Sequence, residues 1–158
     1  FTAPMLAEAI QVSIVKSLPR YESEQPEYNL YARDGFEGEL QQLCIKEEIG
    51  VIPYFSLAAG FLTGKYRSEK DFGKSERGAR MSHYLNARGK QILAALDQVS
   101  NATGASLAEI SLAWLVAQPG ITAPIASATS VEQVKSLGRG VRLQLSDEAL
   151  RTLTDAGK

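Results

Sequence analysis

The sequence predicts an α/β fold built from parallel strand-helix units. Short extended segments near residues 24, 53 and 123 are each followed by a stretch with helical spacing, the alternation that parallel sheets leave in a sequence. The chain opens on a helix that would ordinarily follow a strand, so the sheet is expected to continue before residue 1.

Residues 4 to 18 carry Leu6, Ile10 and Ile14 at helical intervals with Pro19 as the stop, and predict a helix with one buried stripe. Glu22 to Tyr28 read as a short extended segment interrupted by Pro26. Residues 36 to 48 return to helical spacing, with Phe36, Leu40, Leu43 and Cys44 on one side and Gly50 in the place of a helix C-cap. Val51 to Phe55 form a second strand. Tyr66 to Tyr84 show no period and predict one long irregular segment. A helix over 87 to 101 follows on Ile92, Leu93, Leu96 and Val99, and another starts at Ser106, where Ser106 to Glu109 make a capping box. Residues 121 to 125 supply a third strand, Ser130 to Leu137 a short helix, and Ser146 to Asp155 a last helix capped by Ser146.

Composition narrows the function classes. The chain has 158 residues, 44% hydrophobic and 22% charged, enough for one ordinary globular domain. Its 17 basic and 18 acidic residues balance to a net charge of -1, and no basic stripe interleaved with aromatics points to nucleic acid. No apolar run is long enough to cross a bilayer, no signal peptide is visible, and the lone Cys44 has no partner, which together suit a cytoplasmic setting. Phe1 rather than Met starts the chain, as though it were cut from something longer.

The most informative segment runs from Ser56 to Lys65. It follows an apolar strand and consists of small residues, Gly60, Gly64 and a closing lysine. Such a loop can wrap a phosphate: glycines let backbone N–H groups approach an anion, and the lysine adds formal charge. On spacing alone such a turn after a buried strand is more often plain punctuation.

Three motifs in order carry a resemblance. Gln25-Pro26-Glu27-Tyr28-Asn29, the run from Tyr54 through Gly60 to Tyr66, and Ile121 to Gln133 resemble the C-terminal half of an aldo-keto reductase, nearest to bacterial members related to the potassium-channel β subunits. The resemblance spans essentially the whole chain. It implies one partial domain, residues 1–158, forming the C-terminal part of a (β/α)8 TIM barrel with about three parallel strands and their helices. It also implies an oxidoreductase that binds NADPH across the strand ends and transfers hydride to an aldehyde or ketone, a small carbonyl substrate.

Carried over by position, Gln25 matches the residue that hydrogen-bonds the nicotinamide carboxamide, and Tyr54 the aromatic that stacks on the ring. Phe55, Ser56, Leu57, Ala58 and Gly60 match the loop around the pyrophosphate, and Lys65 its lysine. Ser127, Thr129 and Gln133 match positions around the adenosine 2′-phosphate, although Leu137 stands where relatives have an adenine-holding asparagine. Gln133 has a competing task, because Ser130 to Gln133 is itself a capping box. The segment Gly73 to Gly78 can close over the pyrophosphate with Arg77 or Arg80, or be a solvated charged loop.

The family's catalytic tyrosine, lysine, aspartate and histidine belong to the first half of the barrel, so no catalytic residue is expected within this chain and the isolated chain is expected to be inactive. His83 reads as an exposed loop histidine, and no metal-ligand cluster is visible. Two readings remain open. The chain is part of a carbonyl reductase completed by the missing N-terminal half, or it is a non-catalytic half-barrel that binds a dinucleotide or pairs with another copy to complete its sheet. A flavodoxin-like domain would need more strands than the sequence offers.

Overall fold

The computed structural model describes residues 1–74 and 78–158. Helix α1 spans Ala3–Val15, strand β1 Ser23–Glu24, helix α2 Glu39–Lys46 and strand β2 Gly50–Val51. Helices α3 (Ala87–Thr103), α4 (Leu107–Val116), α5 (Val131–Gly140) and α6 (Asp147–Ala156) complete the chain. Strands β1 and β2 pair in parallel, Ser23 with Gly50 and Glu24 with Val51. A parallel bridge from Val51 to Ile121 adds a third extended segment on the other side of β2. The ladder continues loosely, with Ile125 N–H donating to Pro53 O at 2.9 Å and Tyr54 N–H to Pro26 O at 3.0 Å.

The β-α alternation expected from the sequence is therefore present, but its strands are much shorter than predicted. Pro26 and Pro53 explain part of this, since each removes a ladder donor inside a predicted strand. The third segment forms a bridge and not a strand, and it too contains a proline, Pro124.

Two helix ends depart from the reading in an instructive way. Helix α2 closes on Glu48, not Gly50: Glu48 takes φ 54°, Ile49 N–H donates to Cys44 O at 2.8 Å and Glu48 N–H to Ile45 O at 3.3 Å. This is a Schellman turn with glutamate in the left-handed position that usually belongs to glycine, and it frees Gly50 to enter β2. Helix α1 ends likewise, with Ser17 at φ 53° and Leu18 N–H on Ser13 O at 2.8 Å. A Cβ in that conformation costs about 1 kcal/mol, so Glu48→Gly is expected to raise stability by roughly 0.5–1 kcal/mol in a urea melt, after the unfolded chain's extra freedom is subtracted.

The core gathers around Trp114, Tyr28, Phe36, Phe61 and Leu96, all fully buried. Leu6 and Ile10 of α1 join it as predicted, whereas Ile14 is 64% exposed because the helix unwinds one residue later. The capping box at Ser106 forms in full: Ser106 N–H donates to Glu109 at 2.8 Å, and Glu109 N–H donates to the Ser106 hydroxyl at 3.3 Å. The segment predicted as irregular holds short 3-10 turns at Glu69–Lys74 and Gly78–Tyr84.

One polar network runs through this core. Arg33 donates through Nε and Nη2 to both carboxylate oxygens of Glu37, at 2.7 and 2.8 Å, and through Nη1 to Thr154 O at 2.5 Å. Tyr28 adds its hydroxyl to Glu37 at 2.7 Å, and Trp114 Nε1 donates to the Thr154 hydroxyl at 2.9 Å. The loop after β1 is thereby joined to the end of α6.

Candidate cofactor site

Because the extended segments run parallel, their C-terminal ends lie at one edge of the sheet, where ligands of parallel sheets bind. Gln25 follows β1 there and is exposed. Tyr54 bridges in parallel to Glu27, keeps 37% of its surface exposed, and has its ring 5.1 Å from that of Phe55.

The chain then reverses sharply. Phe55 (φ 53°), Ala58 (φ 47°), Ala59 (φ 53°) and Gly60 (φ 103°) all adopt positive φ, three of them despite carrying a Cβ. Strain of this kind persists only where surrounding bonds impose it. Ala58 N–H donates to Phe55 O at 2.7 Å and Gly60 N–H to Leu57 O at 2.8 Å. Ser56 is 2% exposed and its hydroxyl donates to Ile125 O at 2.7 Å, so the side chain is an anchor between the loop and the third segment. What Ser56 and Leu57 offer an anion is backbone N–H, neither of which has an acceptor among the described residues.

Lys65 is exposed and folds back over this turn. A Cβ on Gly60 would lie 3.2 Å from its Cε and 3.4 Å from its Nζ, and the ammonium sits 4.9 Å from the Tyr66 ring centroid. The glycine is thus what lets the lysine lie against the loop's backbone. Lys74 Nζ donates to Lys65 O at 3.0 Å and pairs with Asp71 at 2.6 Å, closing the segment that follows. Bonds from Lys74 and from the N–H groups of Arg67 and Ser68 hold the Asp71 carboxyl far below its ordinary range.

The Ser56 bond ties the loop to Ile125, two residues before Ser127; Ser127, Thr129 and Gln133 are all exposed. Ser130 accepts from Gln133 N–H at 3.3 Å, but Gln133 Oε1 reaches past Ser130 to the Thr129 N–H at 2.7 Å and the Thr129 hydroxyl at 3.2 Å. The predicted reciprocal capping box is thus displaced by one residue, and the Gln133 carboxamide oxygen is occupied. Its NH2 group is left to meet a ligand.

Tyr84, at the end of the segment predicted as irregular, is held in an aromatic cluster. Tyr84 is 5% exposed, its ring stacked on Phe61 at 4.9 Å and edge-on to Tyr31 at 4.8 Å. Burial and the charge of Glu27 push its phenol up to about 12, so it keeps its proton at neutral pH and is a poor acid. His83 is exposed, as expected. Arg80 is also exposed, whereas Arg77 lies outside the described residues. Among the described residues no group of His, Cys, Asp or Glu is arranged to hold a metal, and no helix is long and apolar enough to cross a membrane.

The aldo/keto reductase family model matches residues 7–158. The chain belongs to that family. It is 30% identical over 119 residues to a probable voltage-gated potassium channel subunit beta of Arabidopsis thaliana, covering 71% of this chain and 36% of that protein. An aldo-keto reductase of Schizosaccharomyces pombe whose name carries NADP(+) is 24% identical, covering 84% and 40%. A crystal structure of a thermostable aldo-keto reductase bound to the inhibitor epalrestat superposes with a TM-score of 0.66 at 24% identity, over 93% of this chain and 44% of that one. The fold is accordingly that of the TIM-barrel reductases, and the chain spans about two-fifths of the length of the curated relatives it matches. Aldo/keto reductases, as a family, are oxidoreductases that use a nicotinamide cofactor.

The residues at the sheet edge fit such a cofactor. They include an accessible aromatic, two backbone N–H groups without an acceptor among the described residues, and a lysine resting on a glycine that a Cβ would crowd.

Sequence reasoning gave Asn29 only a place in a motif, and Arg33 and Glu37 no role. The signal was available in part: polar residues at four-residue intervals right after the first extended segment.

Proposed function

We propose that residues 1–158 form the cofactor-holding, C-terminal part of an aldo-keto reductase barrel, and that the whole protein is a cytoplasmic enzyme that reduces aldehydes or ketones with NADPH. The observation that carries this reading is the Ser56 hydroxyl on Ile125 O at 2.7 Å, which ties the glycine loop to the extended segment leading into Ser127 to Gln133. Family membership supplies the chemistry: the nicotinamide, when bound, provides the hydride.

This chain's residues bind and orient. Gln25 offers an amide donor and acceptor to the carboxamide. Tyr54 supplies an exposed ring face for stacking. Phe55, Ser56, Leu57, Ala58 and Gly60 shape the turn whose N–H groups meet the pyrophosphate, and Lys65 neutralises its charge. Ser127, Thr129 and the Gln133 amide surround the adenosine 2′-phosphate. Proton donation to the carbonyl oxygen falls to residues of the remaining barrel, since the Tyr84 ring is buried against Phe61 and Tyr31. A groove of about 570 Å³ lined by Phe1, Met5, Val12 and Tyr21 leaves apolar surface on α1 for that remainder to cover.

The test is turnover. The full-length protein is expected to oxidise NADPH with an aromatic aldehyde, and the isolated 158-residue chain to show none. A full-length protein inactive on all simple carbonyls would contradict the reading, and a dimer of the isolated chain that binds NADPH without turnover would favour the self-paired half-barrel.

A further inference from the structure

We infer that Asn29 is a positioning residue for the nicotinamide end of the site, acting through Phe55. This inference rests on the assignment of Tyr54 to the nicotinamide. Asn29 is 1% exposed and every polar atom of its side chain is used. Its Nδ2 donates to Phe55 O at 2.9 Å, and its Oδ1 accepts from the N–H groups of Tyr31 and Ala32, both at 2.9 Å. The residue therefore couples the turn after β1 to the turn after β2.

What it holds is strained. Phe55, directly after Tyr54, has φ 53°, a conformation unfavourable for an aromatic residue. Its carbonyl is fixed by Asn29 and by Ala58 N–H at 2.7 Å. Removing the Asn29 donor lets Phe55 relax toward negative φ, which turns the peptide joining it to Tyr54 and moves the stacking ring. The phosphate side of the loop has a separate anchor, because Ser56 is tied to Ile125 O at 2.7 Å and to Pro53 O at 3.3 Å. The nicotinamide and phosphate ends of the loop are thus held by different side chains, Asn29 and Ser56.

Asn29→Asp separates these roles. The carboxylate keeps both acceptor bonds within its own turn and replaces the donor to Phe55 O by an oxygen that repels it. In the full-length protein, fluorescence titrations would be run with NADPH and with 2′-phospho-ADP-ribose, which lacks only the nicotinamide. Asn29→Asp is expected to weaken NADPH about tenfold, the scale of one buried hydrogen bond, with 2′-phospho-ADP-ribose changed less than about twofold. The induced circular dichroism of the reduced nicotinamide band should fall at saturating NADPH, a signature that loss of fold alone would not give while the second ligand still binds. Equal weakening of both ligands, or of neither, overturns the inference. A wild-type protein that binds neither ligand overturns the proposed function itself, and the two failures are distinguishable.

Discussion

Replacing Arg33 by methionine is expected to destabilise the protein by about 2 kcal/mol, less than the loss for a fully buried ion pair because the Glu37 side chain keeps 30% of its surface exposed. The guanidinium is 8% exposed and donates to both carboxylate oxygens of Glu37 and to Thr154 O. Methionine keeps the stem's volume, so the loss reports the polar bonds and not a cavity. The double variant Arg33→Met/Glu37→Gln should recover at least half, because the amide no longer leaves a charge unpaired while its oxygen still accepts from Tyr28. Acid adds a second check. Burial pushes the Glu37 carboxyl up, but its bonds from Arg33 and Tyr28 outweigh this and hold it below 4.5. A depressed carboxyl contributes stability in full above its unfolded value, and that stability is lost as pH falls through the native value. The gap between wild type and Arg33→Met should therefore be widest near neutrality and narrow below about pH 4.5, the ordinary glutamate value. Urea melts at several pH values measure it, and a gap independent of pH would contradict the account.

Gly60→Ala is the second large effect, and it falls on both stability and binding. Gly60 has φ 103°, beyond what alanine adopts without strain, and the new methyl would press on Lys65 Cε at 3.2 Å. The expected cost is about 1–3 kcal/mol in stability. NADPH affinity should drop about tenfold as the lysine is displaced from the loop, the scale of one charge-assisted bond. Gly35, which has nothing within 4 Å of its ideal Cβ, is the control: alanine there should leave both measurements near wild type.

These expectations show which parts of the molecule the sequence could disclose. Helix positions were legible because α3, α4 and α6 carry apolar residues at helical intervals behind Ser or Asn caps, and local side chains set those caps. Helix ends were less so. Nothing local announces that Glu48 rather than Gly50 takes the left-handed position; that follows from Gly50 being drawn into pairing with Ser23. The strands shrank because Pro26, Pro53 and Pro124 each deny the ladder a donor, and the apolar runs around them looked continuous. At the site, the order Tyr54 to Lys65 disclosed a glycine-bearing turn after a strand, but not that Ser56 spends its hydroxyl on Ile125. Long-range bonds such as Asn29 to Phe55 and Arg33 to Thr154 join residues far apart in the chain, and no periodicity encodes them.

The central claim is that the glycine loop and its lysine hold the cofactor's phosphates, and Lys65→Met tests it most directly. Methionine keeps the apolar stem over Gly60 and removes only the ammonium. In the full-length protein an NADPH titration should show affinity lower by about tenfold or more, with a weaker dependence on salt, since one screened charge pair is gone. Unchanged affinity and unchanged salt dependence would contradict the claim.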